Sequence, residues 1–275
     1  MNLTFDNLFQ RATGAPKCLP YQERLAVGDP LPTLLDVPTG LGKTAAAILA
    51  WTWRRRFAQK DTPRRLVYCL PMRVLVEQTF TEAVKWLDRL GLLAGSAEWT
   101  ERGPDHLPTM WAQLVRSVNG QGRGYLSKPD AEYDKKGWAA TSGDLGQYPI
   151  AVHLLLGGEE KSDWALWPER DAILIGTQDM LISRALNRGY AAGRARWPLE
   201  FAFLNSDCLW VFDEIQIMDT GLASSLQLDA WRRSLRLRPA RDRFPETKAN
   251  HTSRPCNSLW MSATMAKHWL ERAVD

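Results

Sequence analysis

Residues 34–51 read LLDVPTGLGKTAAAILAW. The run from Thr33 to Val37 is short and largely apolar, the pattern of a buried strand. Ala45 to Trp51 has strong helix propensity. Between the two lie Thr39, Gly40, Gly42, Lys43 and Thr44. A strand, a glycine turn, Lys-Thr and a helix in this order turn backbone N–H groups and the positive end of a helix toward a polyphosphate. In that arrangement Lys43 reaches the β- and γ-phosphates of ATP, and the Thr44 hydroxyl ligates Mg²⁺. The strict pattern G-x-x-x-x-G-K-[ST] asks for glycine at position 37, where this chain has Val37. The plainer alternative is a glycine turn that happens to precede a helix.

The chain has 275 residues, room for one large domain or two small ones. Its 45% hydrophobic and 24% charged residues are those of an ordinary soluble protein. A net charge of +4 accommodates a nucleic-acid partner without requiring one. No apolar run is long enough to span a membrane, and the first twenty residues lack the pattern of a secretory signal. Cys18, Cys69, Cys208 and Cys256 show no C-x-x-C spacing, and Cys69 and Cys208 lie in or beside apolar runs as buried, reduced thiols. The expected location is the cytoplasm.

Further strands are expected at 64–70, 150–156, 172–177, 208–212 and 258–264, with a helix behind most of them. The helix over 72–90 places Val74, Leu75, Phe80, Val84, Leu87 and Leu90 largely on one side. Others are expected at 178–186, 221–235 and 266–273. Between 91 and 149 the pattern dissolves, apart from a helical look at 110–118, and 236–257 is a second polar excursion. Continuous apolar strands alternating with helices mean an α/β fold, a mostly parallel sheet with helices on both faces. Ligands of such sheets sit at the carboxyl ends of the strands. There the sequence puts Pro38 to Thr44, Pro71, Gly157-Gly158, Thr177, Asp213-Glu214 and Ser262-Ala263-Thr264.

Asp213-Glu214 closes the apolar run Leu209-Trp210-Val211-Phe212. As second acidic element of a nucleoside triphosphatase, Asp213 would hold Mg²⁺ opposite Thr44, and Glu214 would polarise the attacking water as general base. An Asp-Glu pair alone is a common surface dipeptide; its place after a buried strand, in one chain with the Lys43 loop, makes it specific. Ahead of the loop, an aromatic among Phe5, Phe9 and Tyr21 together with Gln22 could cradle an adenine by stacking and paired amide hydrogen bonds, with Phe5 equally readable as a core anchor. Arginines at 54–56, 194, 196, 232, 233, 236 and 238 fit a basic track and solvated helix faces equally well.

These elements resemble, in order, a superfamily 2 helicase: Gln22, PTGLGKT at 38–44, LPMRVLVEQT at 70–79, DEIQ at 213–216 and SAT at 262–264. More narrowly, PYQ at 20–22, LLLGG at 154–158, GTQDMLISRAL at 176–186 and DEIQIMDTG at 213–221 resemble the CRISPR-associated helicase of type I interference systems, the third Cas protein family. The resemblance implies a P-loop NTPase, RecA-like fold carrying two loop-rich insertions, at about 91–149 and 236–257. It implies that Gln22 reads adenine, that Lys43 and Thr44 bind phosphate and Mg²⁺, and that Asp213 and Glu214 hydrolyse. Gln216, Ser262 and Thr264 would couple hydrolysis to movement, while Pro71, Arg73, Gly157, Gly158, Thr177 and Gln178 would contact the backbone of single-stranded DNA. Glycines allow close backbone approach, and Arg, Thr and Gln donate to phosphate oxygens. The implied partners are single-stranded DNA, an RNA-guided surveillance complex, a second RecA-like lobe and a nuclease.

The family's second lobe supplies arginine fingers, typically worth about 10³ to 10⁵ in rate. The chain ends shortly after Thr264 and has no His-Asp dipeptide. The expectation is therefore one domain over 1–275, the ATP-binding first lobe, with the second lobe and the His-Asp nuclease domain encoded elsewhere or lost. Another superfamily 2 motor, either an RNA helicase or a restriction translocase, and a fragment that binds ATP without useful turnover are the alternatives.

Overall fold

The computed structural model describes residues 4–58, 61–94, 96–100, 111–115, 150–157, 164–166, 168, 170–189, 193–236 and 256–264. Its strands are β1 Leu34–Asp36, β2 Arg65–Leu70, β3 Ser96–Thr100, β4 Trp111–Val115, β5 Ala151–Leu155, β6 Ala172–Thr177, β7 Cys208–Phe212 and β8 Asn257–Ser262. The helices are α1 Phe5–Thr13, α2 Pro20–Val27, α3 Lys43–Arg56, α4 Arg73–Leu90, α5 Gln178–Ala185, α6 Trp197–Leu204 and α7 Thr220–Arg236. Six strands form one sheet in the order β1-β8-β7-β2-β6-β5, and every pairing within it is parallel. This is the expected α/β fold.

Both faces of the sheet are covered, which is why its strands read as unbroken apolar runs. Leu66, Tyr68 and Leu70 of β2 join Ile173, Ile175, Val211 and Met261 in a core packed by α1 to α4 through Phe5, Leu25, Ile48 and Phe80. The alternate residues Val67 and Cys69 join Leu174, Trp210, Phe212 and Trp260 in a second core under Leu181, Leu204, Leu222 and Leu228. Trp210, Phe212 and Trp260 stack in a row across β7 and β8, with centroids 5.2 and 5.9 Å apart. The period of two along each strand thus assigns the N-terminal helices to one face and the C-terminal helices to the other.

Several expectations need correction. The strand expected to be buried over 33–37 spans Leu34–Asp36 and is half-exposed, at the edge of the sheet among the described residues, beside β8. The helical look at 110–118 gives way to β4, whose Trp111–Val115 pairs antiparallel with Thr100–Ser96. A five-residue segment that includes Trp and Val gains more from a cross-strand ladder than from a lone helical turn. In α4, Val74 is 53% exposed, and Val76 is buried in its stead beside Phe80, Ala83, Val84 and Leu87. Helices α1, α2 and α6 lie outside the expected elements, α1 although its apolar residues Phe5, Leu8, Phe9 and Ala12 share one buried face. Most of both excursions (101–110, 116–149 and 237–255) and the helix expected at 266–273 lie outside the described residues. Among the described residues no helix is long and apolar enough to cross a membrane, and all four cysteines are free and buried.

The arginines at 54–56 form no surface track. All three are buried at the C-terminal end of α3, where the helix dipole favours cations. Arg54 donates to Gly28 O at 2.6 Å and pairs with Asp29, while Arg55 and Arg56 share Asp171 at 2.8 and 3.0 Å. Arg232 is buried as well, its guanidinium 4.8 Å from the Trp210 ring centre.

Candidate active site

The loop after β1 is held on three sides. Val37 N–H donates to Ser262 O at 3.0 Å, extending the ladder with β8 by one step. Position 37 therefore continues a strand and has no positive φ, so glycine is not required there. The left-handed positions are Gly40 at φ 81° and Gly42 at φ 76°, the latter directly before α3. From α2, Tyr21 Oη donates to Leu41 O at 2.6 Å, and Gln22 Nε2 donates to Leu41 O at 3.1 Å and Gly42 O at 3.4 Å. Gln22 Oε1 accepts from Leu19 N–H at 2.8 Å. Gln22 is thus spent on the loop it was expected to sit beside, and reading an adenine would require it to exchange Leu41 O and Gly42 O for the base. Thr39 and Gly40 are exposed on the outer side of the turn.

Lys43 starts α3 and is buried, its ammonium donating to Val37 O at 3.0 Å and lying 3.8 Å from Glu214 Oε1. The two motifs, far apart in sequence, are joined by this contact. Asp213 continues β7, its N–H donating to Cys69 O at 3.0 Å. Its Oδ1 accepts from Glu214 N–H at 2.9 Å and its Oδ2 from Tyr68 Oη at 2.6 Å. Burial pushes the Asp213 carboxyl up to about 6, against the lowering influence of the Tyr68 hydrogen bond. Four described non-glycine residues have positive φ; three are Asn or Asp, which tolerate it, and the fourth is Glu214 at 56°. A left-handed glutamate is costly, and it turns the carboxylate back toward Lys43.

Gln216 Nε2 donates to Glu214 Oε2, and Gln216 Oε1 accepts from Ser262 Oγ at 3.0 Å. Ser262 Oγ in turn accepts from Thr264 N–H at 3.1 Å. A continuous chain of contacts therefore runs from Lys43 through Glu214 and Gln216 to the end of β8, and through Ser262 O back to Val37. Sequence order gives no hint of this closure, because β8, the last of the described strands, inserts between β1 and β7.

The remaining residues lie along the other half of the sheet's carboxyl edge. Pro71 follows β2, Thr177 ends β6, and Gly157 follows β5, three neighbouring strands. Arg73 is exposed on the first turn of α4 with Nε 2.8 Å from Glu77 Oε1. Gln178 opens α5 and packs against Gly221, where a Cβ would come within 2.1 Å of Gln178 Oε1. Gly158 lies outside the described residues. Sequence reasoning missed Tyr68 altogether: within an apolar strand it reads as a core residue, and only its register beside β7 brings it to Asp213.

A buried carboxylate and a hydroxyl around one point form a hard-oxygen donor set suited to Mg²⁺. Asp213, held by the Tyr68 phenol at the end of β7, is the carboxylate, and Thr44, second residue of α3, supplies the hydroxyl. Among the described residues no group of three His, Cys, Asp or Glu could hold a metal ion. His153 is buried in β5, and desolvation, then the charge of Arg170, holds it down at about 3.

Residues 25–115 match a family model described as DEAD/DEAH box helicase. This span includes Lys43 and Pro71 and stops short of Asp213. No curated protein matches the chain. Among solved structures, the DUF1998 helicase MrfA bound to DNA and AMPPNP is similar with a TM-score of 0.54 and 15% identity, over 97% of this chain and 27% of that one. The same helicase bound to DNA gives 0.51 and 13%, over 99% and 27%. The yeast DEAD-box splicing factor Prp28 gives 0.47 and 15%, over 94% and 43%. The chain spans about a quarter of the MrfA chains and less than half of Prp28. The MrfA likeness is one of fold alone, a parallel α/β domain of the RecA-like kind.

Proposed function

We propose that this chain is the ATP-binding lobe of a superfamily 2 motor, one RecA-like domain over 1–275 interrupted by insertions at about 91–149 and 236–257. The observation that carries this reading is the junction of Lys43 with Glu214 beside a buried Asp213, at the ends of β1 and β7. The helicase model matched over 25–115 supports it from the sequence side. With ATP present, Lys43 exchanges Val37 O and Glu214 for phosphate oxygens, and the N–H groups at the start of α3 face the same anion. Thr44 and Asp213 are the residues that would hold Mg²⁺, which neutralises charge on the β- and γ-oxygens. Glu214, released from Lys43 and still held by Gln216, orients and deprotonates the attacking water. The chain Glu214–Gln216–Ser262–Thr264 carries the change toward the end of β8.

The nucleic-acid reading rests on Pro71, Thr177 and Gly157 at adjacent strand ends, beside Arg73 and Gln178, and on the DNA named with the MrfA structure. We assign a single DNA strand to that edge, and type I CRISPR interference as its setting on the resemblance of 176–186 and 213–221. A second lobe would bring the arginines and a nuclease the cleavage. Binding of a fluorescent ATP analogue with Mg²⁺ tests the core of the proposal. Removing one charge-assisted contact in Lys43→Ala should weaken binding by about 10- to 100-fold. Equal binding by wild type and variant would remove the nucleotide site. Turnover stimulated by single-stranded RNA and not by DNA would replace the CRISPR reading with an RNA motor.

A further inference from the structure

Tyr68 is fully buried in the middle of β2, yet its hydroxyl is spent on the site rather than on the core. It donates to Asp213 Oδ2 at 2.6 Å. Strand β2 pairs with β7 in the register Tyr68↔Val211, so the ring lies one pleat before Asp213 on the neighbouring strand. A phenol has one proton to give. That proton goes to Asp213, so the phenol acts on the carboxylate as a donor. Both oxygens of Asp213 are thus fixed, Oδ2 by Tyr68 and Oδ1 by Glu214 N–H.

We infer that Tyr68 is a positioning residue for the Mg²⁺ of the proposed nucleotide site. It sets the rotamer of Asp213 before the ion arrives; the inference rests on the nucleotide-site reading above. Groups that orient metal ligands through hydrogen bonds typically change metal affinity by about 10- to 100-fold when removed. A tyrosine kept only for packing would not, since phenylalanine fills the same volume.

The test uses the full chain and a fluorescent ATP analogue, with Mg²⁺ titrated at fixed nucleotide. Tyr68→Phe should raise the Mg²⁺ concentration for half-maximal binding by about tenfold or more, while Mg²⁺-free nucleotide binding stays unchanged and reports an intact fold. In an Asp213→Asn background the same substitution should add less than about twofold, because its effect runs through Asp213. A Tyr68→Phe chain with wild-type nucleotide binding and an unchanged Mg²⁺ requirement overturns the tyrosine's role alone. Wild-type chain that binds no nucleotide overturns the site and the inference together. A variant that loses nucleotide binding with and without Mg²⁺ marks Tyr68 as a structural residue and overturns the positioning role.

Discussion

Gly42→Ala separates two features of the loop that hold Lys43 in place. Gly42 has φ 76°, where an L-residue costs roughly 1–2 kcal/mol. A Cβ at Gly42 would also lie 3.1 Å from Gln22 Nε2, the atom that bonds Leu41 O and Gly42 O. Displacing that amide weakens one or both bonds, at about 0.5–1.5 kcal/mol for a hydrogen bond. The expected loss is therefore about 2–3 kcal/mol. Gly40 is the internal control: its φ is 81°, but a Cβ there meets nothing within 4 Å. Gly40→Ala should cost only the backbone contribution of about 1–2 kcal/mol. Urea denaturation of both variants, compared at equal m-value, reads the difference. In a Gln22→Ala background the gap between them should close. If Gly42→Ala and Gly40→Ala are equally destabilised in the native background, the Gln22 contact has no energetic content. If both are neutral, the left-handed geometry of the loop is wrong.

Two further expectations concern the interior. His153 is held down at about 3 by burial and then Arg170, against about 6.5 when unfolded. The unfolded chain therefore binds the extra proton first, and stability falls as pH drops from about 6.5 toward 3, by about 1.4 kcal/mol per pH unit. Between pH 7.5 and pH 5 the wild type should lose about 2 kcal/mol more than His153→Leu, in which the opposing gain from Asp213 remains; equal changes in the two would remove His153 as the cause. Asp171 is 4% exposed and serves both Arg55 and Arg56. Asp171→Ala leaves two buried guanidinium groups without it and should cost about 3–5 kcal/mol. A loss under about 1 kcal/mol would mean that water or neighbouring carbonyls already carry those charges.

The glycine loop ahead of Lys43, the parallel α/β architecture and most strand positions were legible along the chain. Each rests on short-range physics: glycines with no Cβ penalty, a helix that begins at Lys43, and apolar runs that both-face burial requires. The same local cues misled at 110–118, where a partner strand outweighed helical periodicity, and at Val74, where one residue of phase moved the side chain to solvent. Charge was the least legible property. Arg54-Arg55-Arg56 and Arg232 read equally as a basic track or as solvated helix faces, and their burial depends on Asp29, Asp171 and Trp210, residues brought near by packing.

What depended on strand order is how the site is divided. With β8 between β1 and β7, Ser262 reaches Val37 and Gln216 together, so the loop and Glu214 close into one network. The parallel order then leaves β2, β6 and β5 as a separate edge for Pro71, Thr177 and Gly157. Tyr68 belongs to the second group by strand and to the first by hydrogen bond. A linear pattern can name the residue types that chemistry needs, because those follow from their own side chains. It cannot say which of them share a boundary, because that is set by the pairing of strands distant in sequence.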